Sequence, residues 1–151
     1  MKKTKQDYLF VALQLILFLL FIFSPTIYRI PTPKFVQLLG LIFSVIGFLI
    51  ILLAIFQLSD ALTPFPSPKI GASLKTEGLY RFVRHPIYTG ILILFLAWSC
   101  YTGALSQFAT TTLLYLLFFF KSRYEEQQLV QTYGDAYETY QIQVGRFFPK
   151  L

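Results

Sequence analysis

The run Ile87–Phe120, IYTGILILFLAWSCYTGALSQFATTTLLYLLFFF, contains no charged side chain. As one straight helix it would be about 51 Å long at 1.5 Å per residue, well beyond the ~30 Å hydrocarbon core of a bilayer. It must therefore fold back or tilt severely. The break is expected at Cys100-Tyr101-Thr102-Gly103, where a glycine permits a turn. The result is a tight hairpin of two membrane helices, whose polar ends reach out to Arg84-His85 and to the segment from Lys121 to Glu126.

Working outward, the composition agrees. With 56% hydrophobic, 19% aromatic and 13% charged residues in 151, the chain carries far too much apolar surface for a soluble domain of this size. A first span runs from Tyr8 to Phe23, where Ser24-Pro25 interrupts it. A second runs uncharged from Phe35 to about Leu58 and ends at Asp60, with Gly40 and Gly47 allowing close helix approach. Lys2, Lys3 and Lys5 before the first span are reminiscent of a signal peptide. No small-residue cleavage site follows and a Pro-rich turn leads to another span, so the segment is read as retained. The expected fold is all-α: an integral membrane helical bundle of about four transmembrane helices in two hairpins plus a C-terminal interfacial helix. It forms a single domain over 1–151, divided into a first hairpin (1–58), a cytoplasmic connector (59–86), a second hairpin (87–128) and an interfacial tail (129–151).

The connector is too polar to span, and Pro64, Pro66 and Pro68 favour an extended path while Gly71 and Gly78 permit turns. In the tail, Leu129, Tyr133, Tyr137, Tyr140, Val144 and Phe147 recur at helical spacing, and tyrosine on such a stripe suits the headgroup boundary. Lysine and arginine then fix orientation. With a cytoplasmic N-terminus, Lys2, Lys3, Lys5, Lys69, Lys75, Arg81, Arg84, Lys121, Arg123, Arg146 and Lys150 fall inside and only Arg29 and Lys34 outside. Both termini are expected in the cytoplasm. The tract around His85 and the pair Glu125-Glu126 then meet at one cytoplasmic face.

The net charge of +6 lies outside the apolar runs and forms no basic-aromatic stripe, so anionic lipid headgroups account for it better than nucleic acid. One histidine and one cysteine, His85 and Cys100, make no zinc set and no internal disulfide, so no metal is expected. Pro86 suits the first turn of the third span, placing Arg84 and His85 at a helix N-terminus, where free amides favour an anion. The plainer alternative is that Arg84 marks the membrane boundary and His85 caps a helix. Glu125 and Glu126 point about 100° apart on a helix, so one faces inward, either toward a ligand's hydroxyls or ammonium or into a salt bridge with Lys121, Arg81 or Arg84.

The tract Gly78 to Gly90 with its Arg84-His85-Pro86-Ile87-Tyr88 core, the Glu125-Glu126 pair and the Tyr133-Gly134-x-x-Tyr137-x-x-Tyr140 element together resemble the membrane-embedded methyltransferases of the isoprenylcysteine carboxyl methyltransferase and phospholipid N-methyltransferase group. The likeness extends from the Pro64 region to Pro149. It implies S-adenosylmethionine (S-adenosyl-L-methionine) as methyl donor, bound between Tyr80, His85, Pro86, Ile87 and Tyr88 on one side and Glu125 with Glu126 on the other. Gly78 would supply the turn that brings the connector over the cofactor. Where the family often has proline after that glycine, this chain has Leu79.

That chemistry suits the residues. The donor carries a carboxylate, an ammonium, ribose hydroxyls and a sulfonium, which call for cations such as Arg84 on one side and carboxylates on the other. Transfer disperses charge, so alignment and exclusion of water matter most, and no metal or covalent nucleophile is needed. An ammonium acceptor would need a base such as Glu125, Glu126 or His85, whereas a carboxylate would not. Lys121, Arg123 or Arg146 could hold an acidic group on the substrate, a membrane-resident lipophilic molecule or lipid. The rival readings are a nicotinamide-dependent membrane reductase, for which Arg81, Arg84 and His85 supply few cations, and a small non-enzymatic scaffold.

Overall fold

A computed structural model describes residues 4–24, 28–58, 62–66, 71 and 73–150. The expectations that rest on Lys2, Lys3, Pro25, Asp60, Pro68 and Lys69 lie outside the described residues. Five α-helices and no strand form among the described residues: α1 (Lys5–Phe23), α2 (Lys34–Leu58), α3 (Pro86–Thr102), α4 (Leu105–Tyr133) and α5 (Asp135–Gln143). A 3₁₀ turn covers Gly78–Arg81.

Each helix boundary has a local cause. Thr4 opens α1 with a capping box, accepting from the Asp7 amide at 3.2 Å while its own amide donates to the Asp7 carboxylate at 2.7 Å. Pro86 opens α3, as its fixed φ and missing donor favour. Gly103, at φ 68°, closes α3, and its amide donates to the Ser99 carbonyl at 2.9 Å. The uncharged run from Ile87 thus folds back at Gly103, within the expected break. Gly134, at φ 54°, separates α4 from α5.

α1 and α2 are long and apolar enough to cross a membrane by length and composition. Many of their large side chains point outward, Phe56 with 81% of its surface exposed, as lipid-facing residues do. α3, at 17 residues, spans about 25 Å. The apolar part of α4 ends at Phe120, and residues 121–133 project beyond it as a polar extension. The expected boundary at 128 falls inside α4, because glutamate and glutamine favour continued helix and the first breaker is Gly134.

Packing does not follow chain order. α2 lies chiefly against α3, α1 against α4, and α3 against α4. Gly40 and Gly47 permit the first of these contacts: a Cβ on Gly40 would sit 2.7 Å from the Ala97 carbonyl oxygen, and one on Gly47 2.6 Å from the Leu94 nitrogen. At the far end the two connectors are stitched together, Ile30 donating to the Gly103 carbonyl at 2.8 Å and Leu105 to that of Tyr28 at 3.1 Å. A core of Ile91, Leu114, Phe118 and Phe147 fills the α3–α4 seam and ends just below the site.

Candidate functional site

The site forms where the connector, the start of α3, the polar end of α4 and the C-terminal segment converge. Gly78, at φ 60°, turns the connector, and the Leu79 amide donates to the Gln57 side chain at 2.9 Å. A proline at position 79 could not make that bond. The departure at Leu79 therefore has a structural use, tying the connector to the end of α2. The turn delivers Tyr80, whose carbonyl accepts from the Tyr140 hydroxyl.

The next residues pair with the chain's end. Val83 bridges Gly145 in parallel, and the amides of Arg84 and His85 donate to the carbonyls of Gly145 (2.8 Å) and Arg146 (3.1 Å). The amides of Arg84 and His85, just before the helix start, are thus engaged within the protein. Arg84 donates from Nε to Glu126 Oε1 at 2.9 Å, and from Nη1 to the carbonyls of Gln141 (3.1 Å) and Val144. Glu126 also meets His85 Nε2 at 3.1 Å, Arg146 at 3.1 and 2.6 Å, and the Gln141 amide at 3.3 Å. With 5% of its side chain exposed, Glu126 is the buried hub of this cluster. Burial alone would raise its carboxyl, but hydrogen bonds with His85 and Arg146 and the charges of His85 and Arg84 hold it down at about 2.

Glu125 faces elsewhere. Its side chain is 25% exposed, accepts from the Tyr88 hydroxyl at 3.0 Å and stands 3.8 Å from His85 Nδ1. Burial pushes its carboxyl up, against the opposing pull of His85 and Lys121. His85 is thus gripped by one glutamate at Nε2 and faces the other at Nδ1.

Two cavities meet here. One is a chamber of about 90 Å³ with the polar groups of Lys75, Tyr133, Tyr137 and Tyr140 set in mostly apolar walls. The other, about 250 Å³, is mostly apolar and bounded by Ile55, Leu62, Ile87, Ile91 and Lys121. Leu58, Thr63, Tyr80, His85 and Glu125 line both. Burial raises the Tyr80 and Tyr137 phenols, and takes that of Tyr140 to about 12, so all three stay neutral donors near pH 7.

The structure brings together Tyr80, His85, Pro86, Ile87, Tyr88, Lys121 and Glu125 around these cavities, with Gly78 turning the connector beside them. Arg84 touches the first chamber but spends its guanidinium on Glu126 and backbone carbonyls. Arg123 and Arg146 lie over the Phe119 ring, outside both cavities. Gln14, Gln57 and Gln141 escaped the sequence reading, and Lys75 figured there only as an inner-face cation. Gln14, a polar residue within an apolar span, was the one signal that could have flagged α1. The tyrosine stripe is present but faces inward: Tyr137, Tyr140 and Val144 pack with Leu74 and Leu129 over the chamber, where the Tyr140 hydroxyl finds a carbonyl, rather than toward headgroups.

The phospholipid methyltransferase family model matches residues 35–136, about two thirds of the chain. The chain belongs to the phospholipid methyltransferase family. Among curated relatives, the methanethiol S-methyltransferase of Pseudomonas deceptionensis is 37% identical over 100 residues, covering 66% of this chain and 37% of that protein. The protein-S-isoprenylcysteine O-methyltransferase of Schizosaccharomyces pombe is 39% identical over 83 residues, covering 52% of this chain and 34% of that protein. The chain thus spans about a third of the length of these two relatives. The eukaryotic intramembrane Ras methyltransferase ICMT (isoprenylcysteine carboxyl methyltransferase) shares the fold, with a TM-score of 0.67 and 23% identity over 99% of this chain and 54% of that one. Family membership and the apolar helices together make this an integral membrane protein. The family match stops at residue 136, so Tyr137, Tyr140 and Arg146, which roof the chamber and grip Glu126, lie beyond it, as does Gln14 before it.

Proposed function

We propose that this chain is a methyltransferase that takes S-adenosylmethionine at the chamber beside Lys75 and a lipophilic acceptor into the apolar cleft. One observation carries the reading: Tyr80, His85 and Glu125 form a wall common to both cavities, so ligands in the two would meet there. The donor set fits the cofactor. Glu125 retains acceptor capacity for an ammonium or ribose hydroxyls, Lys75 offers a cation to a carboxylate, and Tyr80 and Tyr137 offer neutral hydroxyls.

The bound cofactor supplies an electrophilic methyl group on a sulfonium. The protein's share is alignment and dryness. Glu126 positions His85 and Arg84, the pairing of residues 83–85 with 145–146 fixes the chamber roof, and Tyr88 orients Glu125. Glu125 or His85 stands where a proton from an acceptor could be taken up. The acceptor would arrive laterally from the bilayer and the cofactor from the cytoplasm, the side that the lysine and arginine distribution would assign to this face and both termini. Its reaction would be carboxyl O-methylation of an isoprenylcysteine-like compound or N-methylation of a lipid amine; the relatives' names add thiol S-methylation to that range.

Calorimetric titration of the detergent-purified protein with S-adenosylhomocysteine tests this. Saturable binding is expected, and Glu125→Gln should weaken it about tenfold or more, the loss of one charge-assisted hydrogen bond. A folded sample that gives no binding heat would overturn the proposal.

A further inference from the structure

We infer that Lys121 selects the acceptor: its ammonium pairs with an anionic head group, carboxylate or thiolate, on an otherwise apolar substrate lodged in the cleft. This rests on the methyl-transfer reading above and specifies its acceptor.

Lys121 is 2% exposed yet lines the cleft, the only lysine or arginine among the described residues that does. Its Nζ donates to Gln14 Oε1 at 2.7 Å and to the Pro64 carbonyl at 3.2 Å, and lies 5.3 Å from the Tyr88 ring centre. All three partners are neutral. No carboxylate among the described residues makes an ion pair with it, whereas Arg84 and Arg146 are both paired with Glu126. A buried ammonium with no carboxylate in direct contact, only the more distant charges of Glu125 and Asp7, is costly, and it has three donors of which two are used. An ionisable residue held at the inner end of a membrane bundle and opening on an apolar cavity is the arrangement expected of a ligand site.

The geometry also rejects the alternative. A protonated amine entering the same cleft would meet Lys121 as a like charge in a poorly hydrated space. Lys121 and Glu125 are one helical turn apart on the same face of α4, which sets the head group beside the wall common to both cavities. Glu125 also lines the cleft and opposes an anion there, an opposition that the Tyr88 hydroxyl and the facing His85 reduce. In the transfer, a lone pair of the anionic acceptor forms the new bond to the methyl carbon as the carbon–sulfur bond of the sulfonium breaks, its electron pair passing to sulfur. Two neutral products result. A thiol first gives its proton to water, a step that the adjacent ammonium favours.

The test offers purified protein tritiated S-adenosylmethionine with octanoate, octanethiol or octylamine and counts label in the organic extract. Wild-type protein should methylate the anion-forming acceptors and not the amine. Lys121→Met should lower kcat/KM for them at least about tenfold, with S-adenosylhomocysteine binding within about twofold of wild type. Lys121→Arg should retain the preference. Octylamine turned over as readily as the others, octanoate and octanethiol both left unmethylated by a protein that binds S-adenosylhomocysteine, or Lys121→Met with wild-type selectivity would each overturn the assignment. If every Lys121 variant loses S-adenosylhomocysteine binding, the lysine supports the fold and the assignment also falls. Wild-type protein that binds no S-adenosylhomocysteine at all refutes instead the methyltransferase reading beneath it.

Discussion

Glu125 and Glu126 are consecutive, yet a 100° rotation gives them opposite electrostatics. Glu126 is the counter-ion of buried Arg84 and partly buried Arg146, and Glu125 looks into the cavities. Their pH dependences should therefore have opposite signs. Glu126, held at about 2, contributes stability that is complete above the ordinary carboxylate value of 4.5 and is lost as pH falls toward 2. Glu125, pushed up, contributes stability that is complete below 4.5 and is lost as pH rises through its raised value. Thermal unfolding in detergent across pH 2–8 should show Glu126→Gln less stable by about 3–5 kcal/mol at pH 6, because it strands Arg84, with a flatter acid limb. Glu125→Gln should leave that limb intact. Equal effects of the two would refute the division of labour. The sequence showed that only one of the pair could face inward, since helical rotation is local. It did not show that Arg146, twenty residues on, would join the partners, because that contact is made by chain reversal after Gly134.

At the scale of elements, small residues decide which helices touch. Gly40 and Gly47 were legible as sites of close approach, but not their partner, which is α3 rather than the sequence-adjacent α1. Gly47→Ala puts a methyl against the α3 backbone at Leu94 and Gly90 with no flexible side chain to yield, and should cost about 1–3 kcal/mol. Thermal unfolding beside a lipid-facing control, Leu49→Ala, measures this, and an unchanged midpoint for Gly47→Ala would show that the crossing can relax. The fold-back at Gly103 was readable because a charge-free run cannot exceed the bilayer as one helix. The boundary between α4 and α5 was not, since a polar helix leaving the membrane carries no length limit and stops only at Gly134.

At the scale of the molecule, Thr4 lies 3.0 Å from the Tyr124 hydroxyl, so the start of α1, the site and the C-terminal segment share one end of the bundle. Cysteines placed at Lys5 and at Lys150, in a Cys100→Ser background, should both react with an impermeant maleimide in inside-out vesicles and in neither case from outside intact cells. Labelling of the two from opposite sides would contradict the arrangement. Composition and the spacing of charges determined by themselves that the chain is a helical membrane bundle and which polar tracts sit at its ends, because burial in hydrocarbon imposes length and polarity on each segment separately. Only the tertiary structure decided that Arg84 and Glu126 serve as scaffold while Glu125 and Lys121 face the cavities, that the tyrosine stripe roofs the chamber, and that Gln14 reaches Lys121. Those outcomes depend on which helix faces meet, and the hydrophobic pattern leaves that open in chains apolar all round.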